Sequence, residues 1–148
     1  MRSLTLIVVL SAGSGVLMSQ APPVKMGLWE KTMVTTDSKG PTTLKAKSCV
    51  TPAEWQEMVG NASKQRPGCN INVAKTAHGY SYSGTCTIGQ TTLVMNGSSN
   101  IVDSGHITAE SHSTSTLNGQ KRQVDSHTES HFLSADCGSV EPGDPEIE

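Results

Sequence analysis

From Met26 onward, polar and apolar side chains alternate residue by residue over most of the chain, with Thr, Ser and Val filling the alternating positions. A period of two places successive side chains on opposite faces of a β-strand. Met26 to Thr36 and Thr42 to Val50 read as strands joined by Asp37-Ser38-Lys39-Gly40-Pro41, a turn composition. In the second of these, Leu44, Ala46, Ser48 and Val50 share one face, while Lys45, Lys47 and Cys49 share the other. One stretch departs from the pattern. Thr51-Pro52-Ala53-Glu54 offers an N-cap, a proline at the first helical position and an acid three residues after the cap. The predicted helix runs to about Val59 and stops at Gly60, with Trp55, Met58 and Val59 as a short apolar stripe. After a loop from Asn61 to Gly68, Cys69 to His78 and Tyr80 to Thr87 read as a hairpin. Thr91 to Val102 turns at Asp103-Ser104-Gly105 into His106 to Thr116, and Asn118-Gly119 leads into Arg122 to Leu133. The expectation is a mainly β domain: a single curved antiparallel meander sheet of about seven strands with one short helix after the second.

The two ends fall outside this pattern. Met1-Arg2-Ser3 gives one positive charge, Leu4 to Leu10 is apolar except for Thr5, and a softer stretch reaches Ser19-Gln20-Ala21. Charge, greasy core and small residues in that order predict a secretory signal peptide over residues 1–21, and hence a periplasmic or secreted protein. Residues 22–139 then form the β-rich domain. The acidic, proline-bearing stretch over residues 140–148 is expected to be a disordered tail.

Composition narrows the function classes. The formal net charge is −2 and there is no basic stripe, which disfavours a nucleic-acid surface. No second long apolar segment follows the first, so no further membrane span is expected. Ser and Thr make up about a quarter of the chain, against 2 Trp, 2 Tyr and 1 Phe. So little apolar bulk calls for covalent reinforcement of a small domain. The 4 cysteines, Cys49, Cys69, Cys86 and Cys137, lack the close spacing of a redox or zinc motif and suit disulfides in an oxidising compartment. The hairpin around His78-Gly79 sets Cys69 opposite Cys86, leaving Cys49 for Cys137.

Two short motifs carry a family resemblance. Lys25-Met26-Gly27-Leu28-Trp29-Glu30 resembles the opening of a large family of exported bacterial proteins, a domain of unknown function whose members start with a Gly-Leu-Trp-Glu strand. The family's second mark, a Cys-x-Thr-Pro-Glu-like segment, is matched by Cys49-Val50-Thr51-Pro52-Ala53-Glu54, with one residue inserted before the acid. Cys69, Cys86 and Cys137 fit the remaining cysteines, so the resemblance covers about residues 25 to 137. Members often end in an Arg-rich Gly-x-Cys, whereas this chain has Leu133-Ser134-Ala135-Asp136-Cys137 and so lacks any basic site there. The resemblance implies a small periplasmic antiparallel β-domain and brings no activity with it.

Candidate chemistry concentrates on the last hairpin. A two-residue Asn118-Gly119 turn sets His106 opposite His131, Glu110 opposite His127 and His112 opposite Asp125, all on one side of the sheet. Ile107, Ala109, Val124 and Phe132 fall on the other side, the expected core. Imidazole and carboxylate suit Zn²⁺ or Cu²⁺, which makes His106, Glu110, His127 and His131 the candidate metal ligands. The polar outer face of an antiparallel sheet holds such residues in any case. Catalytic motifs are missing: Gly79-Tyr80-Ser81-Tyr82-Ser83-Gly84 is not a nucleophile elbow, and no phosphate loop or dinucleotide fingerprint occurs. The leading expectation is a non-enzymatic module, without cofactor, that binds a small hydrophobic or envelope-derived ligand. Trp29, Met33, Leu93, Met95 and Trp55 are the candidate contacts. Metal binding by the histidine face is the alternative, and hydrolysis without a recognisable motif is the third.

Overall fold

The computed structural model describes residues 23–62, 64 and 66–148. The expected signal segment, residues 1–21, lies outside the described residues. Alternation does what the pleat demands, and the strands assemble into one open antiparallel sheet. They are β1 (Gly27–Asp37), β2 (Gly40–Val50), β3 (Cys69–Lys75), β4 (Gly79–Ile88), β5 (Thr91–Asp103), β6 (His106–Leu117), β7 (Gln120–Ser134) and β8 (Glu146–Ile147). Their order across the sheet is β3-β4-β5-β6-β7-β1-β2-β8.

This order corrects the expected meander in two ways. Only β3 to β7 follow one another; the β1–β2 hairpin adds beyond β7, with Trp29 beside Phe132 and Met33 beside Thr128. Local periodicity specifies strands but not which distant strand completes an edge. There are also eight strands rather than about seven. The extra one comes from the stretch expected to be a disordered tail, where Glu146 and Ile147 pair with Lys47 and Ala46 of β2.

The register of β6 and β7 follows from their turn. Asn118 and Gly119 both take positive φ, 50° and 79°, as a two-residue hairpin loop with the twist of its flanking strands requires. From Leu117 opposite Gln120, the pairing runs unbroken to His106 opposite His131. The helix α1 (Pro52–Ala62) starts as expected, with the Glu54 amide donating to Thr51 Oγ1 at 3.2 Å. It does not stop at Gly60. The chain keeps helical geometry through that residue, and Asn61 Nδ2 donates to Glu57 Oε1 one turn back at 3.3 Å. With its flanking loop, α1 carries the chain from β2, near one edge of the sheet, to β3 at the other.

Burial is sparse, as the composition requires. The buried apolar residues among those described are Val24, Trp29, Cys49, Cys86 and Val140. Trp29 is 3% exposed, meets Phe132 edge-to-face at 5.9 Å, and donates its indole N–H to the Lys25 carbonyl at 3.0 Å. The Lys25 ammonium lies 5.1 Å from the centre of the Phe132 ring, and the Lys25 amide donates to the Ser104 carbonyl at 2.7 Å. One aromatic corner thus fastens the segment before β1 to the β5–β6 turn. Ile107, Ala109 and Val124 are on the same face as Phe132 and are half-buried.

Two disulfides join Cys49 to Cys137 and Cys69 to Cys86. The second links residues directly opposite each other on β3 and β4. The first closes a separation of 88 residues, for which loop entropy gives about 4–5 kcal/mol. It also fixes where the tail begins. Cys49 meets Pro142 in an isolated bridge, and the Val140 amide donates to the Cys137 carbonyl at 3.1 Å. From there the tail turns at Gly143, whose φ of +82° disfavours any side chain, passes close to Glu54 of α1 and returns along β2.

Two outcomes are expected. Trp29→Ala should cost about 3–5 kcal/mol in urea unfolding, as for other large buried aromatics, whereas Leu117→Ala at a half-exposed strand end should cost far less. Tail docking should depend on pH. Glu148 is ion-paired with Lys47, which holds the carboxyl below its ordinary value of 4.5 and lifts the ammonium above 10.5. The carboxyl's contribution is therefore complete above about pH 4.5 and is lost as pH falls through its lowered value. That of the ammonium is complete below 10.5 and is lost as pH rises past its raised value. Amide exchange at Glu148, whose N–H donates to the Lys45 carbonyl at 3.0 Å, should be slow at neutral pH once corrected for its intrinsic rate, and should accelerate at both extremes.

Candidate functional site

Strand alternation gives the sheet two chemically different faces. Even positions of β6, odd positions of β7 and even positions of β1 share the polar one. There His106 lies opposite His131, which in turn lies opposite Glu30, so one row crosses three strands. Glu110 pairs with His127, and His112 pairs with Asp125.

The side chains group differently from the expected metal set. Glu129 is the centre. Its Oε2 lies 2.5 Å from His106 Nε2 and 3.9 Å from His131 Nε2, and its Oε1 lies 3.0 Å from His127 Nε2. The two facing imidazoles, His106 and His131, stack with centroids 4.4 Å apart and planes at 20°. One ligand atom from each of His106, Glu129 and His131 falls within 4.8 Å of the others. Glu110 stays at the side, 3.7 Å from His127 Nδ1, and His112 forms a separate pair with Asp125. Of the four expected ligands, His106 and His131 come together, His127 stands one step out, and Glu110 does not join. Glu129 was legible as a strand neighbour. It sits two residues from both His127 and His131, and a two-residue step on a strand returns to the same face.

The hydrogen bond from His106, and after it the one from His127, holds the Glu129 carboxyl below its ordinary range. The group remains partly open to water, with the side chains of His106, Glu129 and His131 exposed to 28%, 37% and 55%. This arrangement can present two imidazole nitrogens and one carboxylate oxygen to an ion while leaving room for solvent.

The other face carries a groove of about 360 Å³ at the β1–β2 end. Met33, Leu44 and Ala46 line it from the sheet, Met58 from α1, and Pro145 and Ile147 from the tail. Lys31, Glu54 and Asp144 bring charge to the same lining. Of the residues expected to contact an apolar ligand, Met33 lies in the groove. Trp29 is buried in the aromatic corner, while Leu93, Met95 and Trp55 are half-buried and stand outside the groove lining. The walls contributed by α1 and the tail were hidden from strand periodicity, because they depend on where the chain goes after Cys137.

A family model described as a protein of unknown function, DUF3617, matches residues 24–137. The chain belongs to the DUF3617 family. No curated protein and no solved structure matches it. The matched span of this DUF3617 chain runs from the buried Val24 to Cys137 and so contains β1 to β7, both disulfides and the Glu129 cluster. The tail that completes the apolar groove lies beyond it.

Proposed function

We propose that this chain is an exported, non-enzymatic binding module, periplasmic or secreted, for a small hydrophobic or envelope-derived ligand held in the groove between β2, α1 and the tail. The observation that supports this reading is apolar surface left open in one concave place. Leu44, Met58 and Ile147 are 38%, 54% and 65% exposed, yet all three line the same groove. Scattered apolar residues at a surface are ordinary, whereas a convergent set around a concavity is the usual form of a ligand site. An apolar ligand lying there removes that surface from water at roughly 25 cal/mol per Å². Lys31 at the lining suits an anionic headgroup, and the charged Glu54 and Asp144 favour a ligand that turns its polar end outward.

The reading is tested on full-length chain exported to a bacterial periplasm, purified without detergent and weighed by native mass spectrometry. A lipid-sized adduct that disappears in Leu44→Glu and Met58→Glu, with both disulfides still formed, is the expected result. Protein that leaves the periplasm without an adduct, and takes none up from vesicles of envelope lipid, would overturn the reading.

A further inference from the structure

We propose that His106, Glu129 and His131 form a binding site for one divalent transition-metal ion of the copper–zinc class, on the sheet face opposite the apolar groove. The donor set is the first reason. Two imidazole nitrogens and one carboxylate oxygen are borderline ligands that favour Zn²⁺ and Cu²⁺ over Mg²⁺ or Ca²⁺, which prefer all-oxygen shells. Geometry is the second. Metal–ligand bonds of about 2.0–2.2 Å hold neighbouring donors roughly 3.3 Å apart in a tetrahedral shell. The Glu129 Oε2 separations of 2.5 Å to His106 Nε2 and 3.9 Å to His131 Nε2 bracket that spacing. All three donor atoms lie within 4.8 Å of one another, and rotation about the side-chain torsions of the two imidazoles and the carboxylate is the movement that would gather them onto one ion.

Preorganisation is the third reason. His106 and His131 are direct partners on β6 and β7, and Glu129 is two residues from His131 on the same face. The Asn118–Gly119 turn fixes that register, so the site sits on paired strands rather than on a loop. Both Nε2 atoms address the same carboxylate oxygen, while His127 holds the other one at 3.0 Å. His127 is thus a positioning residue: its hydrogen bond to Oε1 orients the carboxylate whose other oxygen would meet the ion. Three protein donors on a part-exposed surface leave the remaining coordination positions to water. The site would be open, suited to carrying an ion or presenting it, and the fold would stand without it on its two disulfides.

The test uses the full chain, stripped with chelator and titrated calorimetrically with Zn²⁺ alone and, in parallel, with Cu²⁺ alone. One ion per chain is expected. His106→Ala, His131→Ala and Glu129→Gln should each weaken binding by more than about tenfold. His112→Ala, at the neighbouring but separate pair, should leave affinity unchanged. Paramagnetic resonance of the Cu²⁺ form should show two coupled nitrogens, falling to one in His106→Ala. Circular dichroism and intact disulfides establish that each variant is folded. No binding by the parent chain would overturn the proposal. So would binding that survives Glu129→Gln and both histidine variants, or a His112→Ala loss equal to theirs, since either would reveal diffuse chelation by surface histidines. Because the cluster and the groove lie on opposite faces, a lipid adduct that persists in the metal-site variants separates this outcome from the fate of the groove.

Discussion

The bond between Cys49 and Cys137 is the constraint on which the arrangement turns. It joins the end of β2 to the segment that follows β7, and between those two strands lies β1 with its aromatic corner. A sheet with so few buried side chains has little packing to keep a distant hairpin in place. Its strands are held by their backbone ladder, and the ladder alone does not favour β1 beside β7 over another open edge. Closing the chain across 88 residues removes most of the unfolded conformations in which β1–β2 drifts free. The same bond determines where residues 138–148 begin, and thereby supplies the wall that completes the groove.

Much of this was legible in the chain. Alternation located the strands, and Asn118-Gly119 fixed which residues face each other on the last hairpin. The start of the helix followed from Thr51, Pro52 and Glu54. What escaped shares one physical origin. The placement of β1 against β7, the docking of Glu146 and Ile147 on β2, and the passage of α1 through Gly60 all depend on contacts between residues far apart or on context that overrides local preference. The candidate metal site shows the same division. Register delivered His106 and His131 to one spot and the two-residue period put Glu129 on their face, but that Glu129 rather than Glu110 closes on the pair was decided by side-chain reach.

The two faces divide the chemistry. One collects small and apolar residues around Trp29 and extends into the groove, while the other collects four of the five histidines with Glu110, Asp125 and Glu129. This division follows from pleat geometry, since a strand cannot send consecutive side chains to the same side. A single-layer sheet has both faces available to partners, so one short domain can hold two sites that share no residue.

The docking of the tail also bears on how the molecule avoids its own kind. The Glu148 amide donates to the Lys45 carbonyl, so the odd-numbered residues of β2 direct their backbone groups away from β1, toward the open side. Along that rim Pro41 has no N–H to offer, Lys45 and Lys47 are engaged by the tail, and Cys49 meets Pro142. Only Thr43 among these alternate positions lacks both a proline ring and a tail partner. Lysines and a proline at a sheet edge discourage a second chain from adding its own strand there. Most of the rim of β2 is therefore occupied by the molecule itself, and a second chain approaching that edge meets little free backbone on which to add a strand.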